Sequence, residues 1–255
     1  MRNKRIKLAI LDLYDSTPNQ GMRAIEKILQ WYEDEVEWKV FDVRAKTEIP
    51  DLDYDIFISS GGPGDPLDFD GVWSKLYFDL IDRVWSFNKN ASGAKKHVLF
   101  ICHSFQMACH HFGLAKVSHR WERSFGIFPC FKTNLGKEET LLEDLANPFW
   151  VADFRDYQVV QPNWERIHEM GAKILAIENP HRDPEMERAI MAVRFSDEFF
   201  GTQFHPEADP EGMLVHFRME ERKAGVIKEY GQEKYDDIIE HLSDPEKIQM
   251  THQSI

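Results

Sequence analysis

Residues 97–114 read HVLFICHSFQMACHHFGL, and the way this stretch folds decides the architecture. Its first half, HVLFICHS (97–104), is a continuous apolar run, the pattern of a strand buried on both faces. Its second half, FQMACHHFGL (105–114), predicts a helix that ends near Gly113. A buried strand that passes straight into a helix is the repeating unit of a parallel sheet. The flanking sequence repeats the unit. IKLAILDLY (6–14) predicts a strand, and NQGMRAIEKILQWYEDE (19–35) sets Met22, Ile25, Ile28, Leu29 and Tyr32 at helical spacing. EWKVFDV (37–43) returns to strand, and YDIFISSGGPGDP (54–66) is a strand running into a glycine-rich turn. WSKLYFDLIDRVWSF (73–87) has apolar residues at 73, 76, 77, 80, 81, 84 and 85, an amphipathic helix.

Beyond residue 114 the character changes. FGIFPCFKT (125–133), FWVADFR (149–155), AIMAVRF (189–195) and FFGTQFH (199–205) predict strands, joined by polar loops and one helix near 163–171. The expected fold is α/β: a central, mostly parallel sheet with helices on both faces, a small antiparallel addition and a helical C-terminal tail. That tail is acidic, with twelve acidic and six basic residues from Glu207 to Ile255. Two or three helices are expected in it, one capped by Asp244 with Pro245 at its first position.

The chain has 255 residues, 42% of them hydrophobic, enough for one substantial core. Its formal charge of -13 repels phosphate backbones and anionic bilayers, so neither nucleic acid nor membrane is an expected partner. Three cysteines, Cys102, Cys109 and Cys130, do not suggest a disulfide framework. The basic N-terminus precedes an apolar run broken by Asp12 and Asp15, unlike a signal peptide, and no stretch reaches the ~20 apolar residues of a membrane span. A cytoplasmic protein is expected.

Three places carry candidate chemistry. Cys102 stands at the end of the buried strand, where the following helix points its N-terminus at the sulfur and favours the thiolate. It reads as a nucleophile on an elbow, or as a buried strand-end cysteine. His205 and Glu207, in GTQFHPEAD (201–209), lie two apart; in an extended chain they share a face, and Glu207 can orient the imidazole. SSGGPGDP (59–66) is either an ordinary turn or one that presents backbone N–H groups to an oxyanion. Cys109, His110 and His111 point ~100° apart on a helix, so no metal site is expected.

Together these stretches resemble the class I, or triad, glutamine amidotransferases, and within them the glutaminase portion of GMP synthases. SGGPG stands at 60–64, Cys102 is followed by Gln106, and QFHPE occupies 203–207. The resemblance spans roughly residues 6–217, which implies a flavodoxin-like domain over 1–217 and a helical extension over 218–255. It further implies that Cys102 attacks the glutamine side-chain amide, that His205 handles the proton and that Glu207 orients His205. The N–H groups of Gly62 and His103 would form the oxyanion hole, and Gln106 would help hold the substrate. A γ-glutamyl thioester would form and be hydrolysed, with no cofactor.

Two departures from the family pattern stand out. Phe100 and Ser104 occupy the positions two before and two after Cys102 where relatives carry glycine, so the strand and helix must pack differently or the ring must point away. Arg155, Asp156 and Tyr157 stand where relatives carry a histidine motif lining the glutamine pocket. They are expected to bind the head group of glutamine or of a larger γ-glutamyl compound. The chain has no GxxxxGK[ST] phosphate loop. The expected partner is therefore a separate ATP-dependent synthetase that takes the ammonia; the alternatives are a stand-alone γ-glutamyl hydrolase and a weakly catalytic regulatory module.

Overall fold

The computed structural model of the chain describes residues 5–69, 71–180 and 187–255. In chain order the elements are β1 (Ile6–Asp12), α1 (Gln20–Gln30), β2 (Val36–Asp42), α2 (Val43–Lys46), β3 (Ile56–Ser59), α3 (Gly71–Asn90) and β4 (His97–Ile101). There follow α4 (His103–His111), β5 (Ala115–Lys132), α5 (Asn134–Lys137), β6 (Phe149–Pro162), α6 (Trp164–Met170), β7 (Lys173–Glu178), β8 (Ile190–Arg194) and β9 (Phe199–Thr202). The C-terminal helices are α7 (Pro210–Arg218), α8 (Glu220–Tyr230), α9 (Gln232–Ser243) and α10 (Ile248–Ser254).

The strands form one sheet in the order β2-β1-β3-β4-β9-β8-β7-β5-β6. The first five pair in parallel, which is the flavodoxin-like order with β9 as fifth strand. The other four pairings are antiparallel, so the antiparallel addition is larger than expected from sequence. Alternation along β1 shows how helices come to cover both faces. Leu8 and Ile10 meet Met22, Ile25 and Leu29 of α1, while Ala9 and Leu11 join Tyr77, Leu80 and Val84 of α3 in the opposite core.

The tail departs from expectation at its end. Asp244 does not cap a helix that begins at Pro245. It follows α9, its carboxylate accepts from the Glu246 N–H at 3.0 Å, and α10 starts only at Ile248. A short aspartate side chain bonding to the backbone two residues on makes a turn, which competes with helix initiation. The helices α7–α10 bury Phe217, Val226, Tyr235, Ile238, Leu242 and Ile248 against Phe125, Ile127 and Ala152 of β5 and β6. Among the described residues no helix is long and apolar enough to cross a membrane.

Candidate active site

The site lies at the carboxyl ends of β1, β3, β4 and β9, where open α/β sheets bind ligands. Cys102 occupies the single residue between β4 and α4. Its φ of 50° and ψ of -97° are outside the comfortable region for a side-chain-bearing residue. The turn is held from both sides: Cys102 N–H donates to the Thr202 carbonyl at 2.8 Å, and Gln106 N–H donates to the Cys102 carbonyl at 3.0 Å. The Ser104 hydroxyl donates to the Ser59 carbonyl at 2.7 Å and accepts from Ile101 N–H at 2.9 Å, tying the elbow to β3.

The crowding expected at Phe100 is relieved in the neighbouring strand. Phe100 is fully buried and packs its ring edgewise against Phe195. Its partner across β9 is Gly201. A Cβ there would come within 2.7 Å of the Phe105 ring and 3.3 Å of the Phe100 Cβ. The space that glycine at the elbow would leave is supplied instead by glycine on β9.

His205 and Glu207 do meet, but not along a strand. Strand β9 ends at Thr202, and the chain turns over 205–208 with Ala208 N–H bonded to the His205 carbonyl at 3.2 Å. That turn brings His205 Nδ1 to 2.8 Å from Glu207 Oε1. Burial pulls the imidazole's pKa down, and it is outweighed by the Glu207 carboxylate, the Cys102 sulfur and hydrogen bonds to both. His205 is held well above the ordinary histidine range. The ring thus bridges the sulfur and the carboxylate and favours an imidazolium between them. By contrast, Cys109 and Cys130 are fully buried, and burial pushes both thiols well up.

The turn of SGGPG approaches the elbow closely. A Cβ on Gly62 would fall 2.6 Å from the Leu13 carbonyl oxygen, so only glycine fits. Leu13 N–H donates to Ser60 Oγ at 2.9 Å, and Arg44 Nη1 donates to the Pro63 carbonyl at 2.7 Å, fixing the loop. The backbone N–H groups of Gly62 and His103 have no hydrogen-bond partner among the described residues. His103 itself is buried; burial, then Arg44, lowers its pKa to about 3, so its ring is neutral.

Of the remaining sequence-derived residues, Gln106 is buried and its Nε2 donates to the Tyr157 carbonyl and to Gln203 Oε1, each at 3.1 Å. Gln203 in turn points its Nε2 at Cys102 Sγ, 3.7 Å away. Sequence reading assigned Gln203 no role, although it lies within QFHPE. Tyr14 was also missed: a Cβ on Gly61 would meet its hydroxyl at 2.9 Å and His205 Cε1 at 3.0 Å, so the phenol lies beside the imidazole. Burial and the Glu207 carboxylate raise its pKa well up, keeping it neutral.

Arg155 is not paired with Asp156. Its guanidinium is buried, with Nε at 2.9 Å from Asp153 Oδ1, Nη1 at 3.1 Å from the Tyr157 carbonyl and Nη2 at 3.0 Å from Glu178 Oε1. Asp153, Glu178 and the Tyr157 carbonyl take three of the fork's donors. Asp156 is exposed, 3.5 Å from Arg123. Burial and the nearby Asp65 carboxylate raise the pKa of the Tyr157 phenol. On the helix, His111 bonds Asp82 at 2.8 Å and Cys109 turns into the core. Among the described residues no group of three or more His, Cys, Asp or Glu could hold a metal ion.

Cys102, His205, Glu207 and Gly62 share a pocket of about 350 Å³. Its far wall comes from α1, Phe154 of β6, and the helices α7 and α8.

A cysteine elbow above a flavodoxin-like sheet, facing a carboxylate-bound imidazole, defines a class of α/β proteins. The chain belongs to one family within it, the class-I glutamine amidotransferases, whose sequence profile matches residues 9–217. Such membership implies amidohydrolase chemistry in general terms. A glutamine amidotransferase structure from Thermotoga maritima superimposes with a TM-score of 0.70 at 14% identity, covering 98% of this chain and 97% of that one. One from Methylobacillus flagellatus gives 0.66 at 14% identity, covering 98% and 91%. A candidate GMP synthase subunit from Thermoplasma acidophilum gives 0.51 at 17% identity, covering 81% and 87%. At these identities the likeness is one of fold. No curated protein sequence matches the chain.

Proposed function

We propose that the chain hydrolyses the side-chain amide of glutamine, or of another γ-glutamyl compound, with Cys102 as nucleophile, His205 as acid and base, and Glu207 as orienter. The observation that carries this reading is the strained Cys102 backbone set opposite the 2.8 Å His205–Glu207 pair. The thiolate attacks the amide carbon and a C–S bond forms. The oxyanion takes hydrogen bonds from the Gly62 and His103 N–H groups, each such donor being worth ~3 kcal/mol. His205 passes its proton to the nitrogen as the C–N bond breaks, and the amine departs. Water then loses a proton to His205 and attacks the thioester; the C–S bond breaks and glutamate leaves. Gln203 steadies the sulfur, and Gln106 holds Gln203. Arg155 keeps Tyr157 and the floor beneath Gln106 in place, and no cofactor enters.

Two fates of the amine follow. Ammonia from glutamine passes to a separate ATP-dependent synthetase, or a free amine goes to water. Family membership supports the first, and the room beyond Cys102 supports the second. The extension at 218–255 is a separate helical addition that shapes the site rather than a catalytic unit. Cytoplasmic placement is supported by three free thiols.

Steady-state release of glutamate tests the reading. Cys102→Ala is expected to lose at least ~1000-fold in kcat, since nothing replaces a covalent nucleophile. A Cys102→Ala chain as active as the parent would remove the proposal.

A further inference from the structure

Resting on that hydrolytic reading, we propose that the leaving group is larger than ammonia: the substrate is a γ-glutamyl amino acid whose C-terminal residue is bulky and apolar and keeps a free carboxylate. The argument begins with His205. Because its proton goes to the leaving nitrogen, the leaving group must lie on the imidazole side of the sulfur. That is where the pocket extends. It is lined by Glu207 and by the helix that follows, while Gln106, Arg155 and Tyr157 are not among its walls. The pocket measures about 350 Å³ and takes in Cys102 and Gly62, so it receives the γ-glutamyl group too; its continuation along Met213, Phe217 and Arg222 exceeds the ~30 Å³ that ammonia, about the size of water, would need.

The walls tell what fills it. Phe154, Met213 and Phe217 supply a flexible thioether and two aromatic rings, a surface for an apolar side chain. At the same pocket stand Arg23 and Arg222, neither with a carboxylate partner among the described residues. The Arg222 guanidinium lies 5.4 Å from the Phe217 ring centroid, so the aromatic wall itself holds a cation at the pocket. Lys27 is already neutralised by Asp209 at 2.7 Å, which leaves the two arginines for an anion. On a chain of charge -13, two exposed guanidinium groups with no carboxylate, Arg23 bonded only to the Gln20 amide oxygen at 3.2 Å, beside an apolar wall fit a ligand that is apolar with one carboxylate. Arg222 belongs to α8, so the C-terminal extension would contribute to specificity.

The test measures kcat/KM of the full chain on γ-glutamyl-phenylalanine, γ-glutamyl-benzylamide and glutamine. The dipeptide is expected to exceed glutamine by at least about tenfold, and Arg222→Gln to cut the dipeptide-to-benzylamide ratio by roughly tenfold, mainly through KM. The benzylamide has the same ring without the carboxylate, so a general disturbance of the site leaves that ratio unmoved. Glutamine turned over as well as the dipeptide, or a ratio unchanged by Arg222→Gln, overturns the proposal while the hydrolytic reading stands. Hydrolysis of none of the three overturns both.

Discussion

Cys102 pays for its exposure to the pocket with a backbone conformation worth ~1–3 kcal/mol of strain, which two backbone hydrogen bonds and the Ser104 latch hold in place. The sulfur then meets two groups, His205 and Gln203. Gln203→Leu keeps the volume and removes one donor. Alkylation of Cys102 by iodoacetamide at neutral pH is expected to slow about tenfold, the worth of ~1.4 kcal/mol; an unchanged rate would leave Gln203 a packing residue only. His103 gives a second residue-scale expectation. Burial holds its pKa at about 3, against an ordinary value of ~6.5 in the unfolded chain. Between those values the unfolded state binds a proton that the folded state refuses. Stability is therefore full above the unfolded value and falls as pH drops toward the folded one, by up to ~1.4 kcal/mol per unit. Urea unfolding at pH 7 and pH 4 should show a smaller loss for His103→Gln than for the parent. At this scale the meeting of Cys102, His205 and Glu207 in one pocket was legible because their residue types and order are restrictive. The surroundings of Arg155 were not legible, because only the fold brings Asp153 and Glu178 to its guanidinium.

The elbow is also a packing solution between elements. Phe100 on β4 and Phe105 on α4 close over Gly201 on β9. Gly201→Ala would drive a methyl into the Phe105 and Phe195 rings, and a loss of ~1–3 kcal/mol in urea unfolding is expected; a neutral result would show that the rings move freely. Parallel strands β1, β3 and β4 were legible as apolar runs because both their faces are covered. The β5–β6 ribbon was read short. Its segments 115–124 and 156–162 carry polar residues such as His119, Arg120 and Glu122, and their pairing comes from the partner strand rather than from their own pattern. Strand β7 was not read at all: it is six residues long, and its only apolar stretch, ILAI, is too short to separate strand from loop. The end of β9 was read three residues too long, since QFH continues the apolar pattern while the backbone already turns.

Across the whole molecule, the C-terminal helices and the sheet share one apolar cluster. Ile238 is fully buried beside Phe125 and Ile127 of β5. A chain ending at residue 217 would bare that surface. It is expected to aggregate or to unfold at much lower urea concentration than the full chain, which solubility and an unfolding curve would check. A soluble truncated chain of unchanged midpoint would mean that the helices add nothing to the fold. Composition showed the tail's acidity and helicity, but the face it covers could not be read from its own sequence.

The central claim is that Cys102 forms a γ-glutamyl thioester. Acid quench of the enzyme during turnover, followed by mass spectrometry of its peptides, tests it most directly. One glutamyl group is expected on the peptide containing Cys102, accumulating further in Glu207→Gln if poor orientation of His205 slows deacylation more than acylation. A glutamyl group on Cys109 or Cys130, or steady turnover with no adduct on any cysteine in either protein, would contradict the account.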